Sequence, residues 1–157
     1  MEIEVVKLSV QIAVSVGAAF LAAWLAAKRF KEDRLWEKKM EAYADLVDAL
    51  HKMKFPPGEH FDAAIGRRDI DKEYSTELWR EFSLARRNVL RIAESSSLLL
   101  SPELMEVVEE MESRLSNADH ETCWEVHLDT QWAAINECLK KVKRIAGREL
   151  GIKHTHG

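Results

Sequence analysis

Residues 8–27 read LSVQIAVSVGAAFLAAWLAA, a run of 20 residues without a charged side chain. Four basic residues follow at once: Lys28, Arg29, Lys31 and Arg34. At about 1.5 Å of rise per residue, such a helix spans about 30 Å, which matches the hydrocarbon thickness of a bilayer. The run therefore predicts a single transmembrane helix after a short segment of residues 1–7, and the rest of the chain suits about one further domain.

Two other interpretations of this run are a cleaved signal peptide and a buried helix of a soluble domain. A signal peptide has a basic segment before its apolar core and a cleavage site after it. This chain begins Met-Glu-Ile-Glu, has Lys7 as the one base before the run, and carries its bases after the run. Charge-free helices in soluble cores are usually about 10–14 residues long. A membrane span is therefore the favoured prediction.

The basic residues on either side of the run predict its orientation. Lys7 precedes it, whereas six bases lie within residues 28–39. Because basic segments stay in the cytoplasm, we expect an outside N-terminus, a span in the inner (plasma) membrane and a cytoplasmic domain after it. The residues expected at the lipid–water interface are Trp24, Lys28, Arg29, Phe30 and Lys31.

The two cysteines fit a reducing compartment. Cys123 and Cys138 are 15 residues apart on one predicted helix, a separation of about 22 Å along its axis. A disulfide requires Cα atoms no more than about 6.8 Å apart, so these two cannot pair with each other. Both also fit as small apolar residues of a helix.

Small residues recur at every fourth position within the run, as in Ser9, Ala13 and Gly17. Small side chains at this spacing let two helices approach closely in lipid, where tight packing holds helices together. We therefore expect the spans of two chains to associate through this face. The alternative is chance, since alanine is frequent in membrane helices.

The sequence after the run has the composition of a helical protein. The chain holds six glycines and three prolines in 157 residues, strong helix formers dominate, and no alternating β-branched stretch occurs. Residues 28–157 carry 22 basic and 25 acidic residues, a net charge of −3. Nucleic-acid binders present basic surfaces, so we expect an all-α domain with no nucleic-acid partner.

Apolar residues at helical spacing predict four helices, over about 28–54, 71–96, 102–116 and 121–146. The first continues from the membrane helix and ends at Phe55-Pro56-Pro57-Gly58, because proline does not continue a helix; a connection over 59–70 follows it. We expect the N-terminal transmembrane helix to continue into an irregular antiparallel four-helix bundle, within a cytosolic domain of residues 28–153 and before a tail of residues 154–157.

Each predicted helix carries one apolar stripe that we expect to form the core of the bundle. The stripes are Leu35, Trp36, Met40, Tyr43, Leu46, Val47, Leu50 and Met53; Tyr74, Leu78, Phe82, Ala85, Val89 and Ile92; Leu104, Val107, Val108, Met111 and Leu115; and Trp124, Leu128, Trp132 (or Gln131), Ile135, Leu139 and Val142.

Three sequence segments resemble a widespread group of small uncharacterised single-pass bacterial membrane proteins with a helical cytosolic domain. They are residues 35–43, LWEKKMEAY, leading into Leu46 and Leu50; residues 101–104, SPEL; and residues 148–151, RELG. The resemblance covers most of the chain and implies a bacterial inner-membrane location. The group has no assigned activity, so it implies no catalytic residues.

Candidate metal ligands occur once, as His120, Cys123 and His127 on one face of the last predicted helix. Imidazole and thiolate bind zinc, but a structural site takes four ligands and no close CxxC or HxxxH pair is present. The glutamates of the third predicted helix fit a solvated face, and no phosphate-binding or nucleophile motif occurs. We therefore expect no metal, no cofactor and no catalytic residue.

Two classes of function remain. The first is a non-enzymatic, membrane-anchored interaction or scaffold module that associates with itself and with an unidentified protein partner. The alternative is a membrane-perturbing effector of a bacterial toxin or phage-defence system, in which assembly of the spans disturbs the bilayer. The run contains no ionisable side chain, and ion pathways are usually marked by such residues, so the first class is favoured.

Overall fold

The computed structural model describes the backbone of residues 2–118 and 123–152, with the side chains from Phe20 onward within these ranges. Four α-helices and no strand make up the described chain: α1 Glu2–Ile65, α2 Lys72–Ser95, α3 Pro102–Ala118 and α4 Trp124–Glu149. The predicted all-α class is confirmed.

The chain divides into two compact units, one ending at Glu37 and one beginning at Lys38. In the first unit, every described side chain is exposed. Within the part of the chain that was described, no helix is both long and apolar enough to cross a membrane. The predicted span of residues 8–27, with Ser9, Ala13 and Gly17, lies largely outside the residues whose side chains are described, so it stays a prediction. The large exposed apolar residues of this unit are Phe20, Leu21, Trp24, Leu25, Phe30, Leu35 and Trp36.

The second unit is an antiparallel helical bundle. Along α1, partners on α4 run in the opposite direction, and the same holds between α3 and α4. The α3–α4 pair is a hairpin that follows from the short connection between these successive helices, whereas α1 and α4 meet across the bundle. The pairs that show it are Lys39–Glu149 (2.6 Å), Lys54–Asn136 (3.0 Å), Lys141–Glu110 (2.6 Å) and Arg114–Glu137 (2.5 Å).

The core of the bundle is built from the predicted stripes, with exceptions at their ends. On α1 the buried stripe begins at Tyr43 and continues through Leu46, Leu50 and Met53. A fully buried leucine contributes roughly 1.5–3 kcal/mol relative to an exposed one. The predicted core residues Leu35, Trp36, Met40, Tyr74 and Trp124 are instead exposed.

The sequence analysis left open whether Trp132 or Gln131 belongs to the buried stripe of α4. The structure places Gln131 there. The Gln131 side chain is 5 % exposed, whereas Trp132 is half-buried and packs at the side of α1. A Cβ on Gly58 would lie 3.1 Å from Trp132 Cδ1, and Lys54 Nζ lies 4.9 Å from the centre of the indole ring. The glycine thus gives the indole room to approach α1.

The predicted end of the first helix at Phe55-Pro56-Pro57-Gly58 is wrong, because α1 continues through both prolines to Ile65. Each proline removes one helical hydrogen bond, at a cost of about 3 kcal/mol or more. Both prolines are buried, and so are His60 and Ala63 in the turns that follow. Burial of this face against the bundle offsets the local cost of the prolines. The sequence-based prediction considered only that local cost.

The start of α2 and the end of α4 follow from local capping residues. Asp71 Oδ2 accepts hydrogen bonds from the backbone N–H groups of Glu73 (3.0 Å) and Tyr74 (3.3 Å), so α2 begins next to its predicted start. α4 runs to Glu149 rather than 146, with Gly147 buried inside it. Gly151 adopts a positive φ of 67° just after the helix, a conformation that favours glycine and ends the helix.

Candidate interaction surfaces

A groove runs along the surface of the bundle between α1 and α2. It encloses about 720 Å³. Ala49 and Ala85 are buried, whereas the large apolar side chains of Phe55 and Leu84 are 54 % and 46 % exposed. The small alanines leave room between the helices, and the larger side chains remain open to solvent. We call this feature the α1–α2 groove; its lining residues are Ala49, His51, Lys52, Phe55, Glu81, Leu84, Ala85 and Asn88.

The two walls of the α1–α2 groove differ in their charged side chains, with Lys52 on α1 and Glu81 on α2. On the α1 wall, the Lys52 ammonium forms an exposed ion pair with Asp48 at 2.7 Å. His51 on the same wall accepts a hydrogen bond from Lys143 Nζ at 3.2 Å, and burial followed by the nearby lysines lowers the pKa of this imidazole. It is therefore neutral at pH 7. On the α2 wall, Glu81 has no ion pair with any described residue.

A cluster of aromatic rings joins the end of α1 to the starts of α2 and α4. His60 stacks on Trp79 at 5.0 Å between ring centres and 15° between planes. Trp79 meets Trp124 edge-on at 6.0 Å and 61°, and His127 stacks on Trp124 at 5.4 Å and 15°. Phe82 packs edge-on against Trp79 at 5.5 Å. One face of each indole is thus covered by an imidazole ring.

His60 is the most deeply buried ring with a titratable group in this cluster, at 8 % exposure. Its Nε2 lies 3.4 Å from the Ser75 hydroxyl. Burial lowers the pKa of the imidazole, and the nearby Glu59 carboxylate opposes this only in part. His60 is therefore neutral at pH 7.

An open cleft of about 460 Å³ adjoins this cluster. Its walls combine aromatic and polar side chains, the combination typical of small-ligand sites. We call it the aromatic cleft; it is lined by His60, Ala63, Ala64, Arg68, Asp69, Ile70, Ser75, Trp79 and Trp124.

A polar cluster at the opposite end of the bundle serves packing. Tyr43, Ser101 and Glu149 meet there, and Lys39 forms an ion pair with the Glu149 carboxylate. Burial disfavours the charged form of Glu149, but the contacts with Lys39, Ser101 and Tyr43 outweigh it and lower its pKa. Burial, followed by the same carboxylate, raises the pKa of Tyr43. The Tyr43 and Ser101 hydroxyls are buried without a well-aligned hydrogen bond in the described chain. The cluster therefore connects α1, the start of α3 and α4 chiefly through the Lys39–Glu149 ion pair.

The structure does not assemble the predicted metal ligands into a site. The Cys123 thiol is exposed and lies 3.1 Å from Glu125 Oε2. His127 Nδ1 donates to the Ala118 carbonyl at 2.7 Å, and His120 lies outside the described residues. Among the residues that were described, no group of three or more potential ligands occurs.

The predicted interfacial residues of the first unit are exposed, and the rings of Trp24 and Phe30 each lie near a basic side chain. The Lys28 ammonium lies 5.8 Å from the centre of the Trp24 ring, and the Arg34 guanidinium lies 5.4 Å from that of Phe30. These are cation–π distances. The interfacial role of these residues stays a prediction. Sequence analysis missed the α1–α2 groove and the aromatic cleft, because it assigned Trp124 to the core.

Comparison with known proteins does not identify relatives. No family of proteins, no curated protein and no solved structure matches this chain.

Proposed function

We propose that this protein is a membrane-anchored, non-enzymatic interaction module that associates with itself and presents its helical bundle to partners in the bacterial cytoplasm. The α1–α2 groove carries the proposal, because it is a depression between two helices that exposes the large apolar side chains of Phe55 and Leu84. Exposed apolar surface of this kind is typical of interaction sites.

Anchoring through residues 8–27 in the inner membrane is supported by sequence and by the first unit. The run is charge-free over 20 residues, and its described part exposes Phe20, Leu21, Trp24 and Leu25. Surrounding lipid is a more favourable environment than water for apolar and aromatic side chains of this kind. The cation–π pair of Lys28 with Trp24 suits the boundary between hydrocarbon and water, where long basic side chains reach toward headgroups.

The occupant that we propose for the α1–α2 groove is the same groove of a second copy. A two-fold axis running along the groove places the α1 wall of one copy against the α2 wall of the other. Lys52 of each copy then faces Glu81 of the other, and its ammonium exchanges the exposed ion pair with Asp48 for one with Glu81 across the contact. The exposed Phe55 and Leu84 of one copy would rest over the alanines of the other.

A contact through this groove alone is small, and the membrane anchor compensates for its size. Stable interfaces between proteins bury about 1,200–2,000 Å² in total. Holding two chains in one membrane, with spans that associate through Ser9, Ala13 and Gly17, raises their effective concentration and lets a weak second contact act. The groove then orients the bundles rather than supplying the whole affinity.

Replacing Leu84 by aspartate tests this function. Leu84→Asp puts a charge into the groove and should weaken crosslinking between bundles of the full-length protein in membranes, whereas the α-helical circular dichroism stays unchanged. The matched control is Leu98→Asp, because Leu98 is 98 % exposed and lies outside the groove. Equal crosslinking in the two variants would exclude the groove as the contact between copies.

A further inference from the structure

The aromatic cleft presents two indole rings at a fixed angle. Trp79 and Trp124 meet at 61° with their centres 6.0 Å apart, and both line the cleft. Each is stacked on a histidine, Trp79 on His60 and Trp124 on His127. Each indole therefore has one face against an imidazole, and the two indoles together form an aromatic corner. Trp124 is 48 % exposed there, which is a large apolar area to leave open to solvent.

The basic side chains among the described residues that line the cleft are Arg68 and His60, and neither offers a free positive charge. The Arg68 guanidinium pairs with Glu59 Oε1 at 2.7 Å. The first free backbone N–H groups of α2 are taken by the Asp71 carboxylate, which accepts from Glu73 and Tyr74. His60 is neutral at pH 7 because burial lowers its pKa. An anionic ligand would therefore find no unused donor of positive charge among these groups.

Among the described residues that line the cleft, the one carboxylate is that of Asp69. Its side chain lines the cleft and is exposed, and no basic side chain of the described chain forms an ion pair with it. The cleft thus combines electron-rich ring faces with one unneutralised carboxylate. A cation within about 6 Å of an indole face is attracted by the ring quadrupole, and more strongly where water is excluded.

We infer that the aromatic cleft binds a small organic cation of the alkylated ammonium class, with Trp79 and Trp124 contacting its methyl or methylene groups and Asp69 balancing its charge. An ammonium of this class fits better than a metal ion, because it is weakly hydrated and offers an apolar surface to the rings. The inference is independent of the α1–α2 groove, since the two features share no lining residue.

Choline and its uncharged carbon analogue, 3,3-dimethyl-1-butanol, test the inference. The full-length protein, in a non-ionic detergent, is titrated with each compound while the indole N–H resonances are followed by NMR. Choline should shift the Trp79 and Trp124 resonances in a saturable manner. The neutral analogue, which has the same shape, should bind at least several-fold more weakly.

Two variants and their controls locate the site. Trp124→Leu and Asp69→Asn should each weaken choline binding by about two- to fivefold, as expected for the loss of one exposed cation–π contact or one charge. Trp24→Leu and Asp45→Asn, which change exposed residues outside the cleft, should leave binding unchanged.

Vesicles distinguish two possible ligands of the cleft, a free ammonium compound and the ammonium headgroup of a lipid. If phosphatidylcholine vesicles shift the same resonances and free choline competes with them, the headgroup is a ligand of the cleft. If free choline alone shifts them, the ligand is a small molecule. Absence of any saturable shift at Trp79 and Trp124, or equal binding of the neutral analogue, would overturn the inference.

Discussion

The side chain of Gln131 predicts a substitution that makes the protein more stable. Gln131 lies on α4 with 5 % of its surface exposed, and its neighbours on the same stripe, Leu128 and Ile135, are fully buried. Its Oε1 has no hydrogen-bond donor in the described structure. A buried acceptor left without a donor costs about 1–3 kcal/mol. Methionine has a similar length and no strong polar atom, so Gln131→Met should raise the free energy of unfolding by about 1–2 kcal/mol.

Urea denaturation followed by circular dichroism measures this change, and an unchanged m-value would show that only stability was altered. Asn117→Met is the matched control, because Asn117 is exposed on α3 and should change stability by no more than about 0.5 kcal/mol. Gln131→Glu keeps the shape but buries a carboxyl group, so it should destabilise the fold more at pH 7 than at low pH. A destabilising or neutral Gln131→Met would refute the reasoning, because the unpaired amide oxygen would then not be the dominant cost at this position.

The remaining predictions concern two buried titratable groups. Because burial lowers the pKa of His60, the stability contributed by its neutral form should be complete above about pH 6.5. This contribution should be lost as the pH falls from that value to the folded-state pKa. His60→Gln should therefore flatten the pH dependence of the unfolding free energy, and an unchanged slope would contradict the assignment. Burial raises the pKa of the Cys138 thiol to about 12, so an impermeant maleimide should modify exposed Cys123 in opened membranes and leave Cys138 unmodified until denaturation. Modification of Cys123 from outside intact spheroplasts would contradict the proposed orientation.

The class of the fold was predictable because it depends on periodicity, which is a property of the local sequence. The α2 stripe from Leu78 to Ile92 is buried as predicted, since each apolar residue follows the last by three or four positions. Asp71 was recognisable as a boundary because an aspartate there can cap the first turn of α2.

The errors occur where tertiary packing overrides a local preference. Pro56 and Pro57 break helices in isolation, yet the burial of their face keeps α1 continuous to Ile65. Trp36 and Met40 continue an apolar spacing beyond the part of α1 that is buried, so periodicity overestimated the length of the core face. No local pattern shows how far a neighbouring helix extends.

The candidate sites were hardest to predict because each needs residues from separate helices. The α1–α2 groove depends on Ala49 facing Ala85, and the aromatic cleft depends on Trp79 meeting Trp124. The predicted ligands Cys123 and His127 share a helix face, but spacing on one helix cannot supply the further ligands that a metal needs.

Mixing two charge-reversed variants tests the proposed association of copies most directly. Lys52→Glu and Glu81→Lys each place like charges opposite one another in a pair of identical copies, so each variant alone should associate about tenfold more weakly in membranes. Co-expressed with different tags, the two variants should pair with each other as well as the natural chains do, because both opposed pairs become attractive again. Arg87→Glu, at an exposed position of α2 outside the groove, is the control. If the mixed variants associate no better than each variant alone, the two grooves do not face each other and the account is contradicted.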